Sequence, residues 1–236
     1  MSNIAMPAAK KTSTKKRPKA APAKKPAGRV YGGISLEQRR AQRRQTFLDA
    51  GLTVFGRDGF RAATVRGLCR EAGLTDRYFY ENFENLEALL MAVYRQQMDR
   101  IRDNMVNALQ QAPQSASTED KVRSMLEAYF QMLENPHAAR VCMVELEGVS
   151  TEVEQLYHGV ILAYSQLLIE LAQGEFPDHS IDADEAHILS IALVGAMRQT
   201  GTHWFLSHYA LPRDKMVDAS CRLAMGVLKE LAFPIA

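Results

Sequence analysis

The chain has 236 residues, 47% hydrophobic and 24% charged, with a formal net charge of +2. These are the proportions of a soluble globular protein, long enough for one compact module plus a second. The longest apolar run, residues 188–197, is too short to cross a bilayer, so no membrane role is expected.

Charge is unevenly placed. Residues 1–33 hold seven Lys, two Arg and no acid, a charge of +9, which leaves −7 to the remainder. The remainder cannot act as a nucleic-acid surface by bulk charge. Three cysteines, Cys69, Cys142 and Cys221, lie far apart without C-x-x-C spacing. That pattern suggests reduced thiols in a cytoplasmic protein. No apolar run follows the early lysines, so no signal peptide is expected.

Residues 1–33 are rich in Lys, Ala and Pro and should be disordered. They read either as a basic arm on DNA phosphates or as a solubilising tail. A first helix is expected from near Ser35, with Ser35 and Gln38 at capping-box spacing. Phe47, Leu48, Ala50, Leu52, Val54 and Phe55 supply its buried face, and Gly56, Asp58 and Gly59 should stop it. Arg39, Arg40, Arg43 and Arg44 crowd its first half against the helix dipole. A polyanion partner explains them, with Arg43 and Arg44 as phosphate contacts; a solvated face is the alternative.

Residues 64–83 carry the most information. Thr64 can cap a helix whose apolar face is Val65, Leu68, Cys69 and Ala72. Gly73 follows where a helix ends with positive φ. Thr75 caps a second short helix with Phe79 and Phe83 facing inward. Asp76, Arg77, Tyr78, Tyr80 and Asn82 are left outside. Arg can bond guanine, Asn adenine, and Tyr a phosphate or a thymine methyl. This is the equipment of a helix that enters the major groove. An ordinary helical hairpin with an aromatic patch is the alternative.

An ordered set of residues now carries a resemblance. Phe55 is followed by Gly59-Phe60, Ala63-Thr64-Val65, Ala72-Gly73-Leu74-Thr75, Tyr78-Phe79-Tyr80, Phe83 and Glu87-Ala88-Leu89-Leu90. In this order and spacing, residues 40 to 93 resemble the DNA-binding domain of the tetracycline-repressor (TetR) family. The resemblance implies groove contacts from Thr75, Asp76, Arg77, Tyr78 and Tyr80, with Asn82 at the far end. It implies phosphate contacts from Thr64 and Arg66. Asp76 could also accept from a cytosine amino group, pair with Arg77, or cap its helix. The family's usual backbone-contacting Lys before Glu87 is replaced here by Leu86.

Beyond it the pattern is helical throughout. A long fourth helix starts after Asn85 and reaches about Leu109. Further helices are expected from Glu119 to Leu133, from Asn135-Pro136 to near Gly148, from a Thr151/Glu154 capping box to Gln173, from Asp182 to about Tyr209, and from Asp214 to Leu231. The fold class is therefore all-α. The expected parts are a tail at 1–33, a three-helix helix-turn-helix domain at 34–85, and a helical regulatory and dimerisation domain at 86–236.

Two stripes of small and apolar residues stand out. Ile188, Ile191, Ala192, Gly195, Ala196, Gln199 and Thr202 form one; Val217, Cys221, Ala224, Met225 and Leu228 form the other. Each is either intramolecular core or part of a two-fold four-helix interface, as the family resemblance implies. A homodimer would read a palindromic operator in double-stranded DNA. Tyr129, Met143, Glu145, Leu146, Tyr164, Leu168, His203 and Trp204 are either core or the lining of a site for a small, mainly hydrophobic effector. Glu145 and His203 would orient it.

Enzyme signals are weak. No His forms an H-E-x-x-H or Cys/His ligand pattern, and no phosphate loop or nucleophile elbow is present. Neither metal nor cofactor is expected. The expectation is a transcriptional regulator, a repressor released by its effector. An effector-independent or architectural DNA-binding protein is the competing reading.

Overall fold

The computed structural model describes residues 35–177 and 182–232, with side chains as far as 229. The expected basic tail lies outside the described residues. Among those described, every regular element is helical.

The first helix, α1 (Leu36–Asp58), buries Phe47, Leu48, Ala50, Val54 and Phe55. Gly56 does not stop it. The residue is buried inside the helix, and a Cβ there would lie 2.3 Å from the His137 Cβ. Its role is close approach. A 3₁₀ turn at Phe60–Ala62 then leads to α2 (Val65–Ala72). The Thr64 hydroxyl accepts from the Gly67 N–H, and Gly73 closes α2 at φ 64°. In α3 (Asp76–Tyr80) only Phe79 is buried. Its ring meets Phe47 edge-on at 5.5 Å, tying α3 to α1.

Asn85 caps α4 (Leu86–Gln111) by accepting from the Ala88 N–H. Ser117 and Asp120 make a reciprocal capping box on α5 (Thr118–Leu133). Asn135 caps α6 (Pro136–Met143), which carries Pro at its first position. This helix stops five residues short of Gly148. The Val144 and Glu145 N–H groups both turn back to the Arg140 carbonyl, and the Glu145 side chain leaves to bond Phe60.

The cap of α7 (Thr151–Glu175) is Ser150, one residue before the Thr151 expected, because its hydroxyl accepts from the Val153 N–H. Asp182 caps α8 (Ala183–Leu206) through the Asp184 and Glu185 N–H groups. α8 ends before Tyr209, where His208 and Tyr209 take positive φ. The Tyr209 ring packs on Trp204 at 4.9 Å, and its hydroxyl donates to the Leu133 carbonyl. The last helix is α9 (Arg213–Ala232).

Two cores share α4. One joins α1, α2 and α3 to Leu89, Leu90, Val93 and Tyr94 of α4, and continues into Val141, Leu146 and Val153. The other gathers Ile101, Phe130, Leu133, Trp204, Val217 and Cys221. Met98 packs against both. No break in packing therefore accompanies the change of role expected at residues 85 and 86. The two stripes part company. Val217, Cys221 and Ala224 of α9 are buried within the chain, whereas Ile188 of α8 is 66% exposed. A Cβ added at Gly195 would meet nothing within 4 Å.

Candidate DNA-contacting face and internal cavity

Thr64, Arg66, Thr75, Asp76, Arg77 and Tyr80 are all exposed, at the start of α2 and along α3. Thr75 occupies the cap position but makes no side-chain cap bond. Asp76 serves the helix start, its Oδ1 accepting from the Arg77 N–H at 2.9 Å. The Arg77 side chain is 83% exposed and reaches Glu81 at 3.1 Å. Tyr80 is 61% exposed and stands edge-on to Phe79. These groups present an arginine fork, a phenol and a hydroxyl to the outside, all able to bond base edges or phosphate.

Four other expected contacts sit differently. Tyr78 and Asn82 are half-buried. The Asn82 Nδ2 donates to the Tyr78 carbonyl at 2.8 Å, so that amide is spent inside the head formed by α1, α2 and α3. The Arg43 guanidinium lies over the Tyr78 ring and that of Arg44 over Phe83, each at 4.4 Å. Arg44 also donates to the Asn82 carbonyl. Leu86, where the family resemblance leads one to expect Lys, packs against the head core.

A cavity of about 180 Å³ runs through the body. Tyr129, Met143, Tyr164 and Leu168 line it as expected. Their neighbours include Met98, Met125, Cys142, Ile161, Leu193 and Met197. Glu145, Leu146, His203 and Trp204 do not line it. Glu145 is turned towards Phe60 and Arg140, and Leu146 is buried in the head-side core. His203 is exposed. Trp204 packs on Phe130 and donates its indole N–H to the Leu211 carbonyl.

The charged groups that do line the cavity are Lys121, Glu175 and Arg198. Lys121 pairs with Glu175 at 2.7 Å, and the Thr118 hydroxyl bonds the same carboxylate. These two donors hold the Glu175 carboxyl below its usual range. Arg198 donates to the Met143 carbonyl and to Glu147, and lies over the Tyr157 ring. Sequence reasoning missed all three. Lys121 and Glu175 are 54 residues apart with no local pattern joining them. Burial pushes the Cys142 thiol up to about 12 and raises the Tyr94, Tyr129 and Tyr164 phenols.

Residues 47–93, which span the exposed helix pair and its supporting core, match the family described as bacterial regulatory proteins, tetR family. Over that stretch the chain is similar to the TetR family. α2 and α3 stand where that family has its helix-turn-helix, and the chain is similar to DNA-binding transcriptional regulators. It is 24% identical over 210 residues to the HTH-type transcriptional activator FasR of Mycolicibacterium smegmatis, covering 88% of this chain and 92% of that one. Two solved structures share the fold. The fatty acid degradation regulator FadR of Bacillus halodurans superposes with a TM-score of 0.67 at 22% identity, over 78% of this chain and 95% of that one. FadR of Bacillus subtilis in complex with stearoyl-CoA gives 0.61 at 18%, over 81% and 99%. No helix among the described residues is long and apolar enough to cross a membrane.

Proposed function

We propose that this TetR-family regulator binds a palindromic operator as a homodimer and is released from it by a long-chain acyl compound. The carrying observation is the cavity wall supplied by α7. Lining residues run from Tyr157 to Glu175, and between those ends Val160, Ile161, Tyr164, Leu167, Leu168, Leu171 and Ala172 are aliphatic or aromatic. At about 1.5 Å of rise per residue this wall is about 27 Å long. Two long acyl chains end to end fill a bilayer core of about 30 Å, so one extended chain fits with room to spare. The relative crystallised with stearoyl-CoA points to the same ligand class. An effector-independent DNA-binding protein has no use for such a cavity.

The dimer reading rests on α8 and α9. Ile188, Ala192, Gly195, Gln199 and Leu206 fall on one exposed stripe of α8, and Leu223 and Gly226 are exposed on α9. Pairing these faces across a two-fold axis would bury them and set two recognition helices on one side of the duplex. A regulator that acts on operators in bacterial DNA works in the cytoplasm, and that location is part of the proposal. Release by ligand is the behaviour of a repressor, as opposed to the activator role in the FasR name.

The test uses a duplex selected by the full-length protein from a randomised pool. Stearoyl-CoA should lower affinity for it by roughly tenfold or more, within the usual range of allosteric coupling, while acetyl-CoA should not. It should also raise the melting temperature of the free protein. Failure of both effects overturns the acyl reading. Tighter binding on ligand addition reverses the sign of regulation and leaves the ligand class standing.

A further inference from the structure

The recognition helix is five residues long, Asp76–Tyr80. An isolated helix of that length does not hold itself in water, because one turn cannot offset the cost of nucleation. Something outside it must set its pitch and direction. Asp76 closes the start. At the other end three arginines from the second and third turns of α1 converge.

Arg40 Nη2 donates to the Glu81 carbonyl at 3.0 Å. Arg44 Nη1 donates to the Asn82 carbonyl at 3.1 Å, 38 residues away in sequence. These carbonyls lie at the negative end of the helix dipole, where cations are favoured. The Arg44 guanidinium also lies over Phe83 and that of Arg43 over Tyr78. Asn82 returns its amide to the Tyr78 carbonyl and completes the network.

We propose that Arg40, Arg43 and Arg44 are positioning residues that pre-set the recognition helix, and that their main contribution to DNA binding is not phosphate contact. This rests on α3 being the reading helix, and it reverses the role expected of Arg43 and Arg44 from sequence. Arginine suits the task. Its planar fork bonds a carbonyl while its face covers a ring, which an ammonium does less well. The network stiffens Arg77 and Tyr80 against the rest of the head. Loss of the arginines should therefore blur which bases are read before it weakens attraction to the polyanion.

Phosphate contact and positioning leave different signatures. Each phosphate contact releases counterions and contributes about 0.9 to the slope of log affinity against log salt. A positioning arginine contributes to the preference for the selected duplex over a scrambled one. The experiment compares the full-length protein with Arg40→Met/Arg44→Met, Arg40→Lys/Arg44→Lys and Arg43→Gln. It measures the salt slope, the selected-to-scrambled ratio, and hydrogen exchange at the amides of residues 81–83.

The double Met variant should lose roughly tenfold or more of its preference, the value of a misplaced base contact, with a slope change below about 0.9. Amides 81–83 should lose protection while those of α4 keep theirs. The double Lys variant should recover most of the preference, since an ammonium still donates to both carbonyls. Arg43→Gln should lose preference with its slope unchanged. A slope lowered by about 0.9 for each arginine removed, with preference and exchange unchanged, makes these residues phosphate contacts and overturns the proposal. If the unsubstituted protein selects no sequence, the DNA-binding reading fails first. The exchange measurement still decides whether the arginines hold the helix.

Discussion

The carboxylate of Glu145 accepts the backbone N–H of Phe60 at 2.6 Å, joining residues 85 apart in sequence. Its other oxygen takes the Arg140 Nε at 2.7 Å, and Arg140 Nη1 donates to the Arg57 carbonyl at the end of α1. The Glu145 side chain is only 10% exposed. The clamp therefore works at low dielectric, where a charge-assisted bond is strong and a lost partner is costly.

Glu145→Ala should destabilise the protein by about 2 kcal/mol, the cost of leaving the part-buried Phe60 N–H and the Arg140 Nε without their acceptor. Glu145→Gln keeps one acceptor and should cost about half as much. Urea denaturation measures both. Cys142 and Met143, three and two residues before Glu145, line the cavity. Both substitutions should thus shrink the ratio of operator affinities without and with stearoyl-CoA. An unchanged ratio would mean that α6 takes no part in coupling.

Arg77 and Tyr80 project from the head with little packing to lose. Replacing either by Ala should change stability by no more than about 0.5 kcal/mol. Preference for a selected duplex over scrambled competitor should nevertheless fall by roughly tenfold. Competition binding at fixed salt, beside a thermal melt, separates the two effects. Full preference in both variants would mean that other groups read the bases.

A bulky side chain directed into the cavity should silence the effector while sparing the operator. Leu168 lies half-buried on the cavity wall. Leu168→Trp fills space the acyl chain would occupy. Operator affinity should stay within about threefold, less than 1 kcal/mol, while stearoyl-CoA no longer releases the DNA. Retained release would place the ligand elsewhere.

Cys142 gives a prediction in pH. Burial raises its thiol from near 9 to about 12. A folded-state value above the unfolded one means that stability is complete below pH 9. It is lost as pH rises towards 12, because only the unfolded chain gives up the proton. The shift of about three units corresponds to about 4 kcal/mol over that window. Cys142→Ala should make the alkaline arm of a stability–pH curve, measured by denaturant titration, less steep. The Tyr94, Tyr129 and Tyr164 phenols, also raised by burial, supply the rest of that arm. The thiol should also resist iodoacetamide at pH 7.5 in the native state, because it is neither ionised nor accessible.

Much of the fold was legible from short-range chemistry. Thr64, Asn85, Asn135 and Asp182 cap their helices with their own side chains, as their positions suggested. What escaped depends on partners distant in sequence. Gly56 reads from sequence as a helix stop, and the contact that accounts for it, His137, is remote in the chain. Glu145, a carboxylate in a largely apolar stretch, reads from sequence as a ligand orienter, yet it is held by Arg140 and by a backbone N–H far upstream. The arginines of α1 read as a charged face because nothing local shows that carbonyls 81 and 82 lie beneath them. At the cavity, Tyr129, Met143, Tyr164 and Leu168 were readable as apolar residues at helical spacing. The same signal also drew in Trp204, since a core and a pocket wall look alike in one dimension.

The core beneath α3 does not end with α4; it takes in Val141, Leu146 and Val153. The α1–α3 unit is consequently not a portable cassette. A fragment cut after Phe83 would expose the greasy underside that those residues cover, and should precipitate or stay unfolded. A hybrid that grafts this head onto a foreign body would need α6 and the opening turn of α7 to travel with it.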